Sequence, residues 1–309
     1  MVSRATYRLI SNVAFLLVAW PSSTFGQVAT AEPSAPIITY NAIHHPVVGR
    51  DGMVSSQNAV STRVGVEILE RGGNAIDAAV GVGLALAVTL PRAGNLGGGG
   101  FMVVHLADKD RTVAIDFREV APALAHSNMY FSEDGEVDNA EYRFTHKSSG
   151  VPGTIAGFDH ILREYGTMTW AEVIEPALRL ARDGIEVTDD LAMNLSGSKA
   201  RLTNNPATAA AFYKPNGSDY RSGETLRQPD LAWTLEQLQA GGADAFYRGS
   251  IAERIVADME AHNGIITAKD LADYRVVERE PVRGTYRGFD IAAMSAPSSG
   301  GMHIVQMLN

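Results

Sequence analysis

Residues 75–90, AIDAAVGVGLALAVTL, are apolar on every helical face after Asp77, and they constrain the fold more than any other stretch of the chain. A helix with one polar face can lie on a surface, whereas one that is apolar all round must be enclosed. Asn74 stands where a side chain can cap the first amides, and Asp77 falls in the first turn, where the helix dipole favours an anion. The run has 16 residues and Pro91 stops it, which is short of the roughly 20 needed to span a bilayer. The sequence therefore predicts a helix buried in a globular core. With 309 residues, 45% hydrophobic and 20% charged, the chain is large enough to build that core.

Beyond Pro91 comes Arg92-Ala93-Gly94-Asn95-Leu96-Gly97-Gly98-Gly99-Gly100, followed by strand-like runs at 101–107 and 111–117 that Asp108-Lys109-Asp110 joins. Consecutive glycines suit positive φ angles or a very close backbone approach, to a ligand or to another stretch of chain. The order is helix, glycines, strand, and no lysine follows, so neither a P-loop nor a dinucleotide fingerprint is present. The hairpin ends in Asp116-Phe117-Arg118-Glu119. An arginine leaving a strand end beside a glycine turn can hold a substrate carboxylate through two parallel hydrogen bonds. It can equally pair with Asp116 or Glu119, and the pattern alone leaves both open.

Residues 1–31 have the form of a secretory signal: Arg4 and Arg8 make a basic start, 13–20 an apolar core, and cleavage is expected after Gly26 or after Ala31. Residues 32–50 form a polar, proline-bearing linker, and 51–309 the folded portion. A helical period from Ala59, with Val60, Val64 and Ile68 four apart and Gly72-Gly73 as a stop, predicts a partner for the buried helix. Residues 121–149 read as a surface loop. A helix is expected at 154–165, then one opened by Thr169-Trp170-Ala171-Glu172 and interrupted at Pro176. Short helices and loops fill 185–228. A helix at 229–239 closes at Gly241-Gly242, Ser250-Ile251-Ala252-Glu253 has capping-box spacing, and Thr267 caps a further short helix. Residues 282–286 and 289–294 form a second hairpin around Arg287-Gly288. Residues 302–309 begin a helix and stop in mid-element, so the chain is expected to be incomplete at that end.

A net charge of −9 with no clustered basic face argues against nucleic-acid binding. The absence of cysteine excludes disulfides, thiolate metal sites and cysteine nucleophiles. The eight histidines show no ligand spacing, so no metal site is expected.

Several motifs, in order, resemble the large-subunit portion of γ-glutamyltranspeptidases. They are Gly52-Met53-Val54-Ser55-Ser56, Gly72-Gly73-Asn74-Ala75-Ile76-Asp77-Ala78-Ala79, Gly94 to Phe101, Asp116-Phe117-Arg118-Glu119, Val151-Pro152-Gly153-Thr154-Ile155-Ala156-Gly157, Ala181-Arg182-Asp183-Gly184 and Pro297-Ser298-Ser299-Gly300-Gly301. The resemblance implies an α+β fold, the αββα sandwich of N-terminal nucleophile hydrolases, present only in part. It implies acyl transfer from glutathione and related γ-glutamyl amides to an amino acid, a peptide or water, without a cofactor. The attacking group would be a threonine freed by self-cleavage, with its own α-amine as base. No such threonine is matched here, so no catalytic residue is assigned and the nucleophile is expected beyond Asn309, in a small subunit that partners this chain. Phe144-Thr145-His146-Lys147-Ser148 echoes the processing motif but lacks its second threonine. Arg118 matches the family arginine that binds the substrate's α-carboxylate. Ser298-Ser299-Gly300-Gly301 is expected to be a structural helix entry, and the glycines at 97–100 to let the arginine strand lie close to the catalytic sheet. Two further functions fit the same residues: a glutaryl or cephalosporin acylase of this family, and a noncatalytic exported carboxylate-binding protein. Location in the periplasm or outside the cell, with no membrane span once the signal is removed, is the corresponding expectation.

Overall fold

Asn58 opens the first helix, α1 (Ala59–Glu70), by accepting from the amides of Val60 and Ser61. The chain turns at Gly72, whose φ of 91° few other residues adopt, and re-enters α2 (Ala75–Thr89). These elements belong to a computed structural model that describes residues 47–309. The expected signal segment and residues 32–46 of the linker lie outside the described residues. As the composition requires, α2 is enclosed, with Ala79 its one exposed position after the first residue. α1 packs antiparallel on it at very short range: a Cβ on Gly65 would meet Val82 at 2.6 Å, and one on Gly81 would meet Ile68 at 2.1 Å. The buried hydroxyls of Ser61 and Thr89 satisfy each other across this contact at 2.7 Å.

The first hairpin is β1 (Phe101–Leu106) and β2 (Arg111–Asp116), joined by a 3-10 turn and by Asp110 in the left-handed region. Later in the chain β5 (Val277–Arg279) adds to the other side of β2, giving an antiparallel sheet of order β1-β2-β5. β2 is central, and Val113, Ala114, Ile115, Asp116 and Phe117 are buried in succession. The excursion 121–149 is largely exposed but carries a helix, α3 (Asn139–Phe144), and a 3-10 turn at 146–148. Asp138 caps α3 through the amides of Ala140 and Glu141, a local signal passed over in reading this stretch as a loop.

α4 (Thr154–Tyr165) and α5 (Trp170–Asp183) follow, and α5 runs through Pro176 without the expected break. Val173, Ile174, Pro176, Ala177, Leu178 and Ala181 are all buried along one face, so packing against α2 and the later helix outweighs the one backbone hydrogen bond that proline removes. β3 (Ile185–Glu186) pairs with β4 (Thr225–Leu226) around α6 (Asp189–Leu202) and α7 (Pro206–Phe212). α8 (Pro229–Tyr247) kinks where Gly242 leaves helical geometry, at φ 59°. α9 (Ser250–Ala261) is capped by Gly249 without a side-chain bond. Ser250 is its first residue rather than its cap and donates to Gln237. Thr267 caps α10 (Ala268–Asp273) in a reciprocal box with Asp270, as its spacing predicts. β5 (Val277–Arg279) comes next, and β6 (Val282–Tyr286) and β7 (Phe289–Ala293) make a separate ladder turning at Arg287-Gly288. α11 (Gly300–Leu308) packs on that ladder. Val104, Val113, Ile115 and Phe117 of the first sheet share one hydrophobic cluster with α1, α2, α4, α5, α8 and α9. The class is α+β, with sheet residues and helices closing a common core.

Candidate functional site

Three of the motifs quoted above, Gly94 to Phe101, Asp116 to Glu119 and Val151 to Gly157, converge on the end of β2. Gly100 and Phe117 exchange both backbone hydrogen bonds, at 3.0 and 3.2 Å, which extends the hairpin by one pair into the glycine turn. A Cβ on Gly99 would lie 2.6 Å from the Phe117 carbonyl oxygen, 2.7 Å from the Glu119 nitrogen and 2.8 Å from the Arg118 Cα. None of the four glycines has a positive φ. Close backbone approach, rather than an unusual turn, is what the glycines provide here.

The third wall is the start of α4. Its first amides have no side-chain cap, and the Gly98 carbonyl takes those of Gly153 at 2.6 Å and Thr154 at 3.0 Å. Val120 and Val151 bridge just beyond. Two tyrosines from late in the chain brace this frame. The Tyr247 hydroxyl donates to the Pro152 carbonyl and accepts from the Ala156 amide, while Tyr274 donates to the carbonyl of Arg118 itself at 2.8 Å. Their rings stack 5.8 Å apart. Burial pushes both phenols well above the ordinary tyrosine range, which keeps them neutral donors. No local pattern singles out either tyrosine, since each acts through residues 95 and 156 positions away.

Arg118 thus has a fixed backbone and an exposed side chain. The neighbouring acid that could neutralise it is engaged elsewhere: Asp116, itself buried, pairs with Arg279 of β5 at 2.9 Å and accepts from the Arg118 amide at 3.1 Å. Among the described residues the Arg118 guanidinium makes no ion pair and no hydrogen bond, and the alternative of a pair with Asp116 or Glu119 is not adopted. Among the described residues three cavities border the frame, one of about 650 Å³ under Gly94 to Gly97, one of about 470 Å³ beside Tyr247 and Tyr274 and one of about 480 Å³ between Tyr247 and Ala252, and Arg118 lines none of them. Chemically, the arrangement presents one uncompensated, delocalised cation on a rigid strand end, the geometry that receives a carboxylate in a forked contact.

The other singled-out residues fall elsewhere. Ser298 accepts from the Gly300 amide at the entry to α11, where a Cβ on Gly301 would meet the Met294 carbonyl at 2.2 Å, so this segment serves helix entry and close strand contact. Thr145 donates to the Glu141 carbonyl in the outer excursion. His146, next to it, lies with Asp258 and His262, three potential metal ligands that sequence spacing did not reveal because His146 is 112 residues from Asp258.

Comparison with known proteins fits this geometry. A family model described as gamma-glutamyltranspeptidase matches residues 61–309. The chain is 48% identical over 284 residues to the glutathione hydrolase proenzyme of Escherichia coli, covering 91% of this chain and 49% of that protein. It is 36% identical over 283 residues to the acylase ACY 1 proenzyme of a Pseudomonas strain, covering 90% of this chain and 50% of that one. The crystal structure of Helicobacter pylori γ-glutamyltranspeptidase superimposes with a TM-score of 0.83 at 44% identity, over 85% of this chain and 75% of that one. The chain spans about half the length of the curated relatives it matches.

Proposed function

Because the chain belongs to the γ-glutamyltranspeptidase family and has the fold of that family's large-subunit portion, we propose that it supplies the carboxylate-holding half of an enzyme that transfers or hydrolyses γ-glutamyl groups, with glutathione as a substrate. The observation that carries this proposal is the guanidinium of Arg118, without an ion-pair partner among the described residues and held on a braced strand end while Asp116 is paired to Arg279. Arg118 grips the α-carboxylate of the γ-glutamyl group. The attacking threonine, its amine base and the oxyanion donors belong to the half of the relatives' length that this chain does not span, and residues from that half close the pocket over Arg118. The small subunit is therefore the chain's partner, and amino acids, peptides or water are the acyl acceptors. Export to the periplasm or beyond follows from the basic start and short apolar core of residues 1–31. Among the described residues no helix is long and apolar enough to cross a membrane.

The test is Arg118→Ala in the enzyme completed with its nucleophile-bearing half. Losing a desolvated, forked charge contact costs roughly 2 kcal/mol or more, so the Michaelis constant for glutathione should rise roughly thirty-fold or more, with a smaller change in kcat. An unchanged value would remove Arg118 from the site. The isolated chain should not turn over γ-glutamyl anilides. The acylase relative favours a second substrate class, glutaryl side chains of β-lactams, whose free carboxylate suits the same arginine. Measuring both substrates with one preparation decides between them.

A further inference from the structure

Three metal-ligating side chains meet at a point that the frame around Arg118 does not use. Asp258 and His262 stand four residues apart at the end of α9 and therefore project from one face. His146 reaches them from the 3-10 turn that ends the excursion 121–149. Its Nε2 lies 2.8 Å from Asp258 Oδ2, and His262 Nδ1 lies 3.2 Å from Asp258 Oδ1. One ligand atom from each of the three lies within 4.8 Å of the others. The imidazole rings stack with centroids 4.5 Å apart and planes 11° from parallel. Two imidazoles sharing one carboxylate form a donor set for a cation.

The approach of the two segments is built into the backbone. Gly264 lies where a Cβ would meet His146 Cβ at 3.0 Å and Met259 Sδ at 2.3 Å, so a glycine there lets the 146–148 turn lie against the end of α9 without displacing either side chain. Lys147, the neighbouring cation, is engaged by Glu141. All three ligands keep solvent access, which gives an ion a path in.

We propose that His146, Asp258 and His262 bind one divalent transition ion of the zinc class. Two imidazole nitrogens and one carboxylate oxygen suit such an ion, and water fills the remaining positions. Binding forms two nitrogen–metal bonds and one oxygen–metal bond; any imidazole proton passes to solvent, and the 2.9 Å contact of His262 Nδ1 with the Asp258 carbonyl gives way if that nitrogen is the ligand. The ion pins the excursion to α9, and His146 is only five residues before Val151, which bridges to Val120 two residues from Arg118. This site does not depend on the acyl-transfer proposal.

Titration of the purified chain with zinc chloride by calorimetry, and with copper(II) chloride by electron paramagnetic resonance, tests it. The intact protein should take up one zinc ion that His146→Ala and His262→Ala each bind more than about tenfold more weakly, the least that disturbing even an outer partner of a metal ligand costs. The copper spectrum should show two coordinating nitrogens. Zinc should raise the melting temperature and slow proteolysis within 121–149 in the intact protein only, while without metal His262→Ala, the variant at the more exposed position, melts with it. Absence of zinc binding, variants that bind as tightly as the parent, or a copper spectrum with fewer than two nitrogens would each overturn the site.

Discussion

The two ends of α2 are tied into the molecule by opposite means. At its start the joint is centred on one buried carboxylate: Asp77 accepts from the amides of Asn74, Thr167 and Met168 and from the Thr167 hydroxyl, at 2.7 to 3.2 Å, and the Asn74 side chain donates to the Tyr165 carbonyl beside it. At and beyond its end the joint is mostly close backbone approach, Gly94 against the Leu86 carbonyl and Gly99 against the backbone at 117–119, with neutral side-chain bonds from Gln228 to the Val88 carbonyl at 2.8 Å and between Ser61 and Thr89 at 2.7 Å. One ionised group carries the first joint, which is sensitive to pH and to a change of a few atoms. The second is spread over close backbone approaches and neutral hydrogen bonds, and at the glycines it is sensitive to added volume. Arg118, the proposed carboxylate holder, stands beside the second.

The sharpest way to break this contrast is Asp77→Ala. It leaves three buried or half-buried amides and a hydroxyl without their acceptor, and the unfolding free energy should fall by about 3–5 kcal/mol. Urea denaturation followed by circular dichroism measures it. A loss below about 1 kcal/mol would mean that water replaces the carboxylate and that the first joint is not concentrated in one group.

Gly99→Ala probes the other joint. The added methyl has no flexible neighbour to displace, only the backbone atoms of Phe117, Arg118 and Glu119, so a cost of about 1–3 kcal/mol is expected. Because the Arg118 Cα is among the atoms met, the completed enzyme should also show a raised Michaelis constant. Destabilisation with unchanged substrate affinity would separate the glycine turn from the positioning of Arg118.

How far each joint was legible follows from where its partners lie in sequence. Asn74 and Asp77 announce a helix start because they are three residues apart, but Thr167 is 90 residues away and no pattern near Asp77 predicts it. The glycines announce an anomaly without saying which neighbour they admit. Arg118 could be singled out, yet its freedom depends on Arg279, which lies in a strand the pattern reading missed: Val277-Glu278-Arg279 is short, charged and has no apolar run, and its pairing with β2 is decided in three dimensions. At Pro176 a sound local rule gave the wrong result because the buried face of α5 outweighs it. Local chemistry was readable at both joints, and contacts between distant segments were not.

The pH dependence sharpens the contrast further. Burial by itself raises the Asp77 pKa, but the bonds from Thr167, Asn74 and Met168 outweigh it and hold the group below its ordinary value. A carboxylate depressed in the folded state contributes stability that is complete above its unfolded pKa, about 3.9, and is lost as pH falls through the lower folded value. The urea midpoint of the parent should therefore decline below about pH 4 by more than that of Asp77→Asn, while the penalty of Gly99→Ala stays constant across the same range. Parallel curves for all three proteins would show that Asp77 is not the titrating link.

Gly97→Ala has the smallest expected effect and discriminates most cleanly between two uses of glycine. No atom lies within 4 Å of a Cβ built there, and its φ is not positive, so neither space nor backbone strain opposes a methyl group. If the run of glycines serves close approach, only the positions that face a neighbour should matter, and Gly97→Ala should stay within about 0.5 kcal/mol of the parent with an unchanged Michaelis constant. If the run instead serves as a flexible hinge through which the strand end moves during turnover, stiffening Gly97 should lower kcat while leaving stability intact. Comparing kcat for Gly97→Ala and Gly99→Ala in the completed enzyme tells a fixed support from a moving one.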